Sequence, residues 1–322
     1  MRGDLGTVSL DTLGVLRVRG ADAVAFLQGQ LSNDLQRLAA DRSLLAGYHN
    51  PQGRVIALLR VLQLAPDDVL ALLPRELIAK VVTRLTKFIL RAKVRLLDDS
   101  QQWRISGLLA SGAEAVEAGD AIAASADSAL IAALPAAENA AAHIAAAVAV
   151  RVAQQPARWL LIAPVSQLPL TVASLALENW QRVAIAGGEP QVYAATSEEF
   201  VAQMLNLDAL GAIAFDKGCY TGQEVIARAH YRGRVKRRMQ RFVTRDPHPL
   251  KPGDAGELAD GRSFRVVDAV PLGDGRCEFL AVAPLESGAG DADAAGAAPA
   301  AATGVVGALA ARALPLPYAL PS

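Results

Sequence analysis

Cysteine is nearly absent from this chain. The two that occur, Cys219 and Cys277, form no CxxC pair, and the four histidines form no HxxxH pair. Nothing in the spacing prefigures a zinc centre, and no stably bound metal is expected. There is no GxGxxG and no GxxxxGK[ST], so neither a dinucleotide fingerprint nor a P-loop is supported. Net charge is also missing: 32 Lys and Arg balance 32 Asp and Glu, which leaves no global attraction to nucleic acid or membrane. No run of apolar residues free of charge and proline is long enough for a transmembrane helix. Met1-Arg2-Gly3-Asp4 lacks an apolar signal region. The expectation is a cytoplasmic chain with no membrane partner and both thiols reduced.

What is present describes a globular α+β protein. The 322 residues are 52% hydrophobic and 20% charged, and that length predicts two or three domains. Val15-Leu16-Arg17-Val18-Arg19 alternates as a half-buried strand does. Asp22 is placed to start a helix through Leu31. Asn50-Pro51-Gln52-Gly53 is a turn signature. Val55 to Leu64 reads as an apolar strand interrupted by Arg60, hairpinned to Val69–Leu73. Pro74 suits the start of a helix over 75–90. Residues 110–150 are alanine-rich and read as helical. Arg158–Ala163 is a strand, 168–179 a helix, and Trp180–Ala186 a short strand or helix end before Gly187-Gly188. From 234 to 285, short β-like pieces separated by Gly and Pro suggest a small barrel or sandwich. Residues 287–303 are an Ala/Gly/Asp low-complexity insertion, expected to be flexible.

The densest chemistry lies in Asp216–Arg228. Gly218 and Gly222 allow a positive φ or a close backbone approach. Cys219 has two readings: a small half-buried thiol, or a functional thiol whose pKa is lowered by Lys217 and Arg228, should they lie near it. His230 is a remote candidate for its base. Glu224 is a helix-start carboxylate or a ligand acceptor, Gln223 a loop cap or an amide reader, and Tyr220 a core ring or a ligand contact. Beyond them runs a basic segment, Arg228, Arg232, Arg234, Lys236, Arg237, Arg238 and Arg241. It is the solvated face of a strand or a footprint for an anion, such as RNA phosphate or a folate polyglutamate tail. Trp180 is a core indole or a stacking surface. Asp98-Asp99 and Glu198-Glu199 read as solvated pairs.

The run Lys217-Gly218-Cys219-Tyr220-Thr221-Gly222-Gln223-Glu224, followed by Arg228, closely resembles the signature of the YgfZ/GcvT family. Gly20-Ala21-Asp22, Gln28 through Asp34, Pro51-Gln52-Gly53-Arg54, Asn206 through Gly211 and Leu316-Pro317-Tyr318 agree in order. The resemblance spans nearly the whole chain and fades at 110–150 and 287–303. It implies a three-domain ring: a discontinuous folate-binding, ferredoxin-like α+β domain over 1–48 and 152–225, a second α+β domain over 49–151, and a C-terminal β-barrel over 226–322. It implies tetrahydrofolate or a related folate as ligand, with Cys219 important for activity and Trp180 in the folate site. A second folate-associated tryptophan of the family corresponds to Leu13, and a usual proline to Ala202. Where aminomethyltransferase relatives carry an aspartate, Val55-Ile56-Ala57-Leu58 has no carboxylate. For the YgfZ branch the resemblance implies support of iron–sulfur cluster assembly or repair and of tRNA modification, with tRNA-thiolating iron–sulfur enzymes as partners. A folate-dependent aminomethyl or one-carbon transferase and an RNA-binding module on 228–241 are the alternatives.

Overall fold

The computed structural model describes residues 5–110, 128–167, 172–233, 235–246, 248–285 and 304–321. The expected insertion at 287–303, Arg234 and much of the alanine-rich stretch lie outside them. Three antiparallel-rich sheets make up the fold. The first contains β1 (Leu5–Ser9), β7 (Trp103–Ala110), β8 (Ala141–Ile144), β9 (Ala147–Ala153), β10 (Arg158–Pro164) and β11 (Ala173–Ser174). The second contains β2 (Leu13–Arg19), β3 (Leu44–His49), β4 (Val55–Ala65), β5 (Asp68–Pro74) and β6 (Arg95–Asp98). The third is C-terminal and contains β12 (Arg237–Thr244), β13 (Ala255–Leu258), β14 (Ser263–Pro271), β15 (Cys277–Pro284), β16 (Val305–Leu309) and β17 (Ala311–Leu314). Among the described residues five α-helices accompany them: α1 (Ala23–Gln28), α2 (Arg75–Thr86), α3 (Ser128–Ala133), α4 (Leu177–Ala186) and α5 (Gln223–Tyr231). Among the described residues no helix is long and apolar enough to cross a membrane.

Strand β2 shows how the sequence pattern becomes packing. Its apolar positions Leu16 and Val18 are fully buried. Its basic positions are neutralised across the sheet: Arg17 pairs with Asp68 at 2.7 Å and Asp99 at 3.0 Å, and Arg19 reaches Asp68 at 3.4 Å. Asp99 is therefore an internal partner, not the solvated carboxylate expected. Glu198 and Glu199 are likewise engaged, the first by Arg84 and Lys80 and the second by the buried Arg265.

Three elements differ from expectation. Helix α2 buries Leu77, Ile78, Val81 and Leu85 but ends at Thr86, and its last turn tightens through bonds from Lys87 and Phe88 to the carbonyls of Arg84 and Leu85. Phe88 is left 46% exposed. The later part of the alanine-rich stretch is a hairpin, β8 with β9, because the alternating Val148, Val150 and Val152 suit a sheet. The helix expected over 168–179 lies at α4, so Trp180 is a helical residue.

The largest core cluster runs from Leu16, Leu27 and Leu59 of the N-terminal half to Met239, Val267 and Leu280 of the C-terminal sheet. Polar clamps reinforce that joint. Arg238 and Asp208, each with a side chain 4% exposed, pair at 2.9 Å, and the Asn206 amide donates to the carbonyl of Met239 at 2.9 Å. Replacing Arg238 by Met strands the Asp208 carboxylate in the interior. Urea unfolding should show a loss of about 3–5 kcal/mol, much of it recovered by the double change Arg238→Met with Asp208→Leu. Equal stability of single and double variants would show that the pair does not clamp the joint.

Candidate functional site

The signature segment is held by its own lysine. The Lys217 ammonium donates to the carbonyls of Gln28, Leu31 and Asn33 at 2.7, 2.7 and 2.8 Å. These carbonyls lie at and just beyond the end of α1, where a helix has no internal donors left. Burial lowers the Lys217 pKa to about 8, against the pull of Asp34. All three of its protons end on carbonyls, so none remains for Cys219, whose activation by a Lys217 hydrogen bond is not seen. Cys219 stands exposed on the segment.

Gly222 explains one of the motif's glycines. It sits at φ +84° as the N-cap of α5, and a Cβ there would lie 2.5 Å from the carbonyl oxygen of Asn50. The Asn50–Gly53 turn thus packs directly on the start of the helix, with Gly53 (φ +72°) against Val225. Gly218 has no such constraint: its surroundings are open. Gln223 and Glu224 form the first turn of α5, where the Glu224 charge complements the helix dipole. Tyr220 is buried, and that burial raises its phenol to about 12. Beneath it lies His49, 1% exposed, with its ring 6.3 Å from that of Tyr220. Neither His49 nitrogen makes a well-formed hydrogen bond among the described residues. Burial outweighs a weak favourable contact with the Gly47 backbone and lowers its pKa to about 3.

The basic run does not form one strand face. Arg228 and Arg232 are exposed on and beside α5, and Lys236 is exposed in the following loop. Arg237 bonds Ser263, Arg238 bonds Asp208, and Arg241 pairs with Glu278 at 2.5 Å. His230 stacks on Phe215 and so is occupied elsewhere than as a base for Cys219.

A second site is the central cavity of about 540 Å³, walled by residues of all three sheets, including Leu10, Leu72, Leu160 and Asp268. Leu13 and Trp180 both line it, whereas Cys219 and its neighbours do not. The indole is wedged: a Cβ on Gly107 would lie 2.4 Å from its ring, and the Arg158 guanidinium covers the ring at 4.8 Å from the centroid. Helix α4 ends in Gly187 and Gly188, with Gly188 at φ +65°. Bonds from Gly188 to Ile185 and from Glu189 to Ala184, both 3.0 Å, form a Schellman turn. This turn delivers Glu189 to the cavity wall beside Arg60. Burial pushes the Glu189 carboxyl above its usual range, against the pull of Arg158 and Arg60. Arg158 is 1% exposed and pairs with Glu189, while its Nε and Nη1 are buried without partners among the described residues. At another point on the wall Tyr193 donates to Asp268 at 3.0 Å, and burial lifts Asp268 to about 6.

Glu189, Arg158, Tyr193 and Asp268 were not singled out from the sequence. The available signals were Arg60, a charge inside an apolar strand, and the glycine pair before Glu189. Among the described residues no group of three His, Cys, Asp or Glu side chains could hold a metal ion.

The chain is 31% identical over 294 residues to the tRNA-modifying protein YgfZ of Edwardsiella ictaluri (strain 93-146), covering 86% of this chain and 84% of that one. It is 29% identical over 283 residues to the protein of the same name from Enterobacter sp. (strain 638), covering 84% and 83%. The glycine cleavage system aminomethyltransferase T from Bartonella henselae matches the structure with a TM-score of 0.63 at 14% identity, over 88% of this chain and 79% of that one. The α+β architecture is therefore GcvT-like. No family profile matches the chain.

His49 generates a pH prediction. Its folded pKa of about 3 lies below an unfolded value near 6.5, so the unfolded chain binds the proton more readily. Its contribution is complete above about pH 6.5 and is lost as pH falls, at up to roughly 1.4 kcal/mol per unit. Asp268, with its raised pKa, acts in the opposite direction below about pH 6. Denaturant midpoints measured from pH 7 to 5 should fall more steeply for the wild type than for His49→Leu. Parallel slopes would refute the assignment.

Proposed function

This chain belongs to the YgfZ family, and from that membership we propose that it is a folate-binding accessory protein supporting iron–sulfur cluster assembly or repair and, through iron–sulfur enzymes that thiolate tRNA, tRNA modification. The central cavity carries the reading. Its volume of about 540 Å³ falls in the range of small-molecule sites. Its lining combines apolar walls from Leu13, Leu72 and Leu160 with the Trp180 indole. Tetrahydrofolate has a ring edge of N–H donors, which suits the Glu189 carboxylate. The lining therefore fits the group. When bound, tetrahydrofolate supplies a carrier for one-carbon units. Trp180 and Leu13 would shape the wall, and Glu189 would orient the ligand.

Aminomethyl transfer is not part of this reading. From Val55-Ile56-Ala57-Leu58, the only cavity-lining residue is Leu58, an apolar group. The wall carries three carboxyl groups, those of Glu138, Glu189 and Asp268, of which Glu189 and Asp268 are engaged by Arg158 and Tyr193. Cys219 is exposed and apart from the cavity lining. It serves as a functional thiol, redox group or transient ligand toward an iron–sulfur partner.

Two measurements test the parts separately. Calorimetry with tetrahydrofolate should give micromolar binding, weakened about tenfold or more by Trp180→Ala and less by Trp180→Phe, which keeps the wedge against Gly107. An absence of heat from the wild type would sink the folate reading. In a strain lacking this protein, Cys219→Ser should fail to restore tRNA thiolation to the wild-type level, and full restoration would remove the thiol role.

A further inference from the structure

One exposed surface is not used by the folate cavity. Phe215 enters the signature segment, and its ring lies nearly parallel to that of His230, with centroids 3.8 Å apart and an interplanar angle of 13°. Tyr231 meets both edge-on, at 6.1 Å from Phe215 and 4.7 Å from His230. The cluster faces outward: Tyr231 is 67% exposed, and His230 is exposed beside it. Burial is what ordinarily holds a tyrosine in a fold, and this one has little of it.

Charge accompanies the rings. Arg228, Tyr231 and Arg232 stand at i, i+3 and i+4, which places them on one side of a helical turn. That turn continues to Arg232, whose amide donates to the Arg228 carbonyl at 3.0 Å. Both arginines are exposed. No Asp or Glu occurs between Glu224 and Asp246, and the deeper cations Arg238 and Arg241 are spent on Asp208 and Glu278. The C-terminal turn of α5 is thus aromatic and cationic at once, one turn beyond Glu224, the single acid of the helix.

We propose that this face, formed by His230 and Tyr231 with Arg228 and Arg232, is a docking site for single-stranded RNA. The rings offer π-faces and edges to unpaired bases, and the guanidinium groups take the adjacent phosphates. A duplex keeps its bases stacked inside and gives the aromatic groups nothing to meet. An acidic peptide or a polyglutamate tail would satisfy the arginines but would leave the rings idle. The inference deepens the tRNA branch of the functional reading and is independent of the folate cavity.

The test is fluorescence anisotropy with the full chain and a labelled single-stranded RNA of about 12 nucleotides, from about 50 to 200 mM salt. Tyr231→Ala should weaken binding about tenfold, Tyr231→Leu should do the same because bulk without a π-face does not stack, and Tyr231→Phe should stay within about twofold. Replacing Arg228 and Arg232 with Gln should lower the slope of log affinity against log salt by roughly 0.7 per arginine. The same sequence as a duplex should bind more weakly and should not respond to Tyr231→Ala. Tetrahydrofolate calorimetry on the same variants should be unchanged, so that failure of the RNA site and failure of the folate site are read separately. No retention of RNA at the lowest salt, unchanged affinity in Tyr231→Ala, or equal competition by oligoglutamate would overturn the proposal.

Discussion

The Lys217 ammonium has three protons, and this fold gives it three carbonyls, those of Gln28, Leu31 and Asn33. Those oxygens would otherwise need water where the chain leaves α1, in a region packed by Leu27, Leu31 and Leu35. A half-buried amine with its donors fully used is a tie between distant segments, and desolvation makes it costly to break. The rest of the signature follows from that tie. The chain is drawn against the N-terminal half, Tyr220 drops into the core, and Gly222 lets the Asn50–Gly53 turn meet the start of α5 without a clash. Cys219, between the anchored lysine and the buried tyrosine, is presented outward because both of its neighbours in this sense are fixed inward.

The cavity shows a different use of charge. The Arg158 side chain is buried and that of Glu189 about one-third exposed, and Arg158 and Arg60 each help offset the desolvation of the carboxylate. The arrangement depends on backbone geometry before it depends on side chains. Without the Schellman turn at Gly187-Gly188, the chain after α4 would leave in another direction and Glu189 would not face the wall. Gly188 is doubly restricted, since a Cβ there would also meet Leu316 and Tyr318 at under 3 Å.

Local patterns were legible where one residue's environment was set by its neighbours in sequence. The β2 alternation, the β4–β5 hairpin, the Asn50–Gly53 turn and the β-rich C-terminal part could all be read that way. Alanine-rich composition misled at β8 and β9, because alanine favours helix only until a sheet edge offers its backbone better partners. The basic run misled as a whole because arginines close in sequence have separate fates: Arg238 and Arg241 find acids in distant segments, and Arg228 and Arg232 do not share them. Lys217 looked like an activator of the adjacent thiol, but its partners lie far back, at residues 28–33. The polar lining of the cavity was hidden for the same reason, since Arg60, Glu189 and Asp268 converge only in the folded chain.

The Tyr318 hydroxyl donates to the Gly188 carbonyl at 2.7 Å, and with Pro317 it supplies part of the cavity wall. Every other wall residue precedes these two in sequence. During synthesis the N-terminal segments emerge first, so Trp180 and Glu189 leave the ribosome well before the residues that close their chamber. The nascent protein therefore passes through a stage in which the pocket is still open and unfinished. Occupancy of the completed chamber is a property that only chains translated through Tyr318 can acquire.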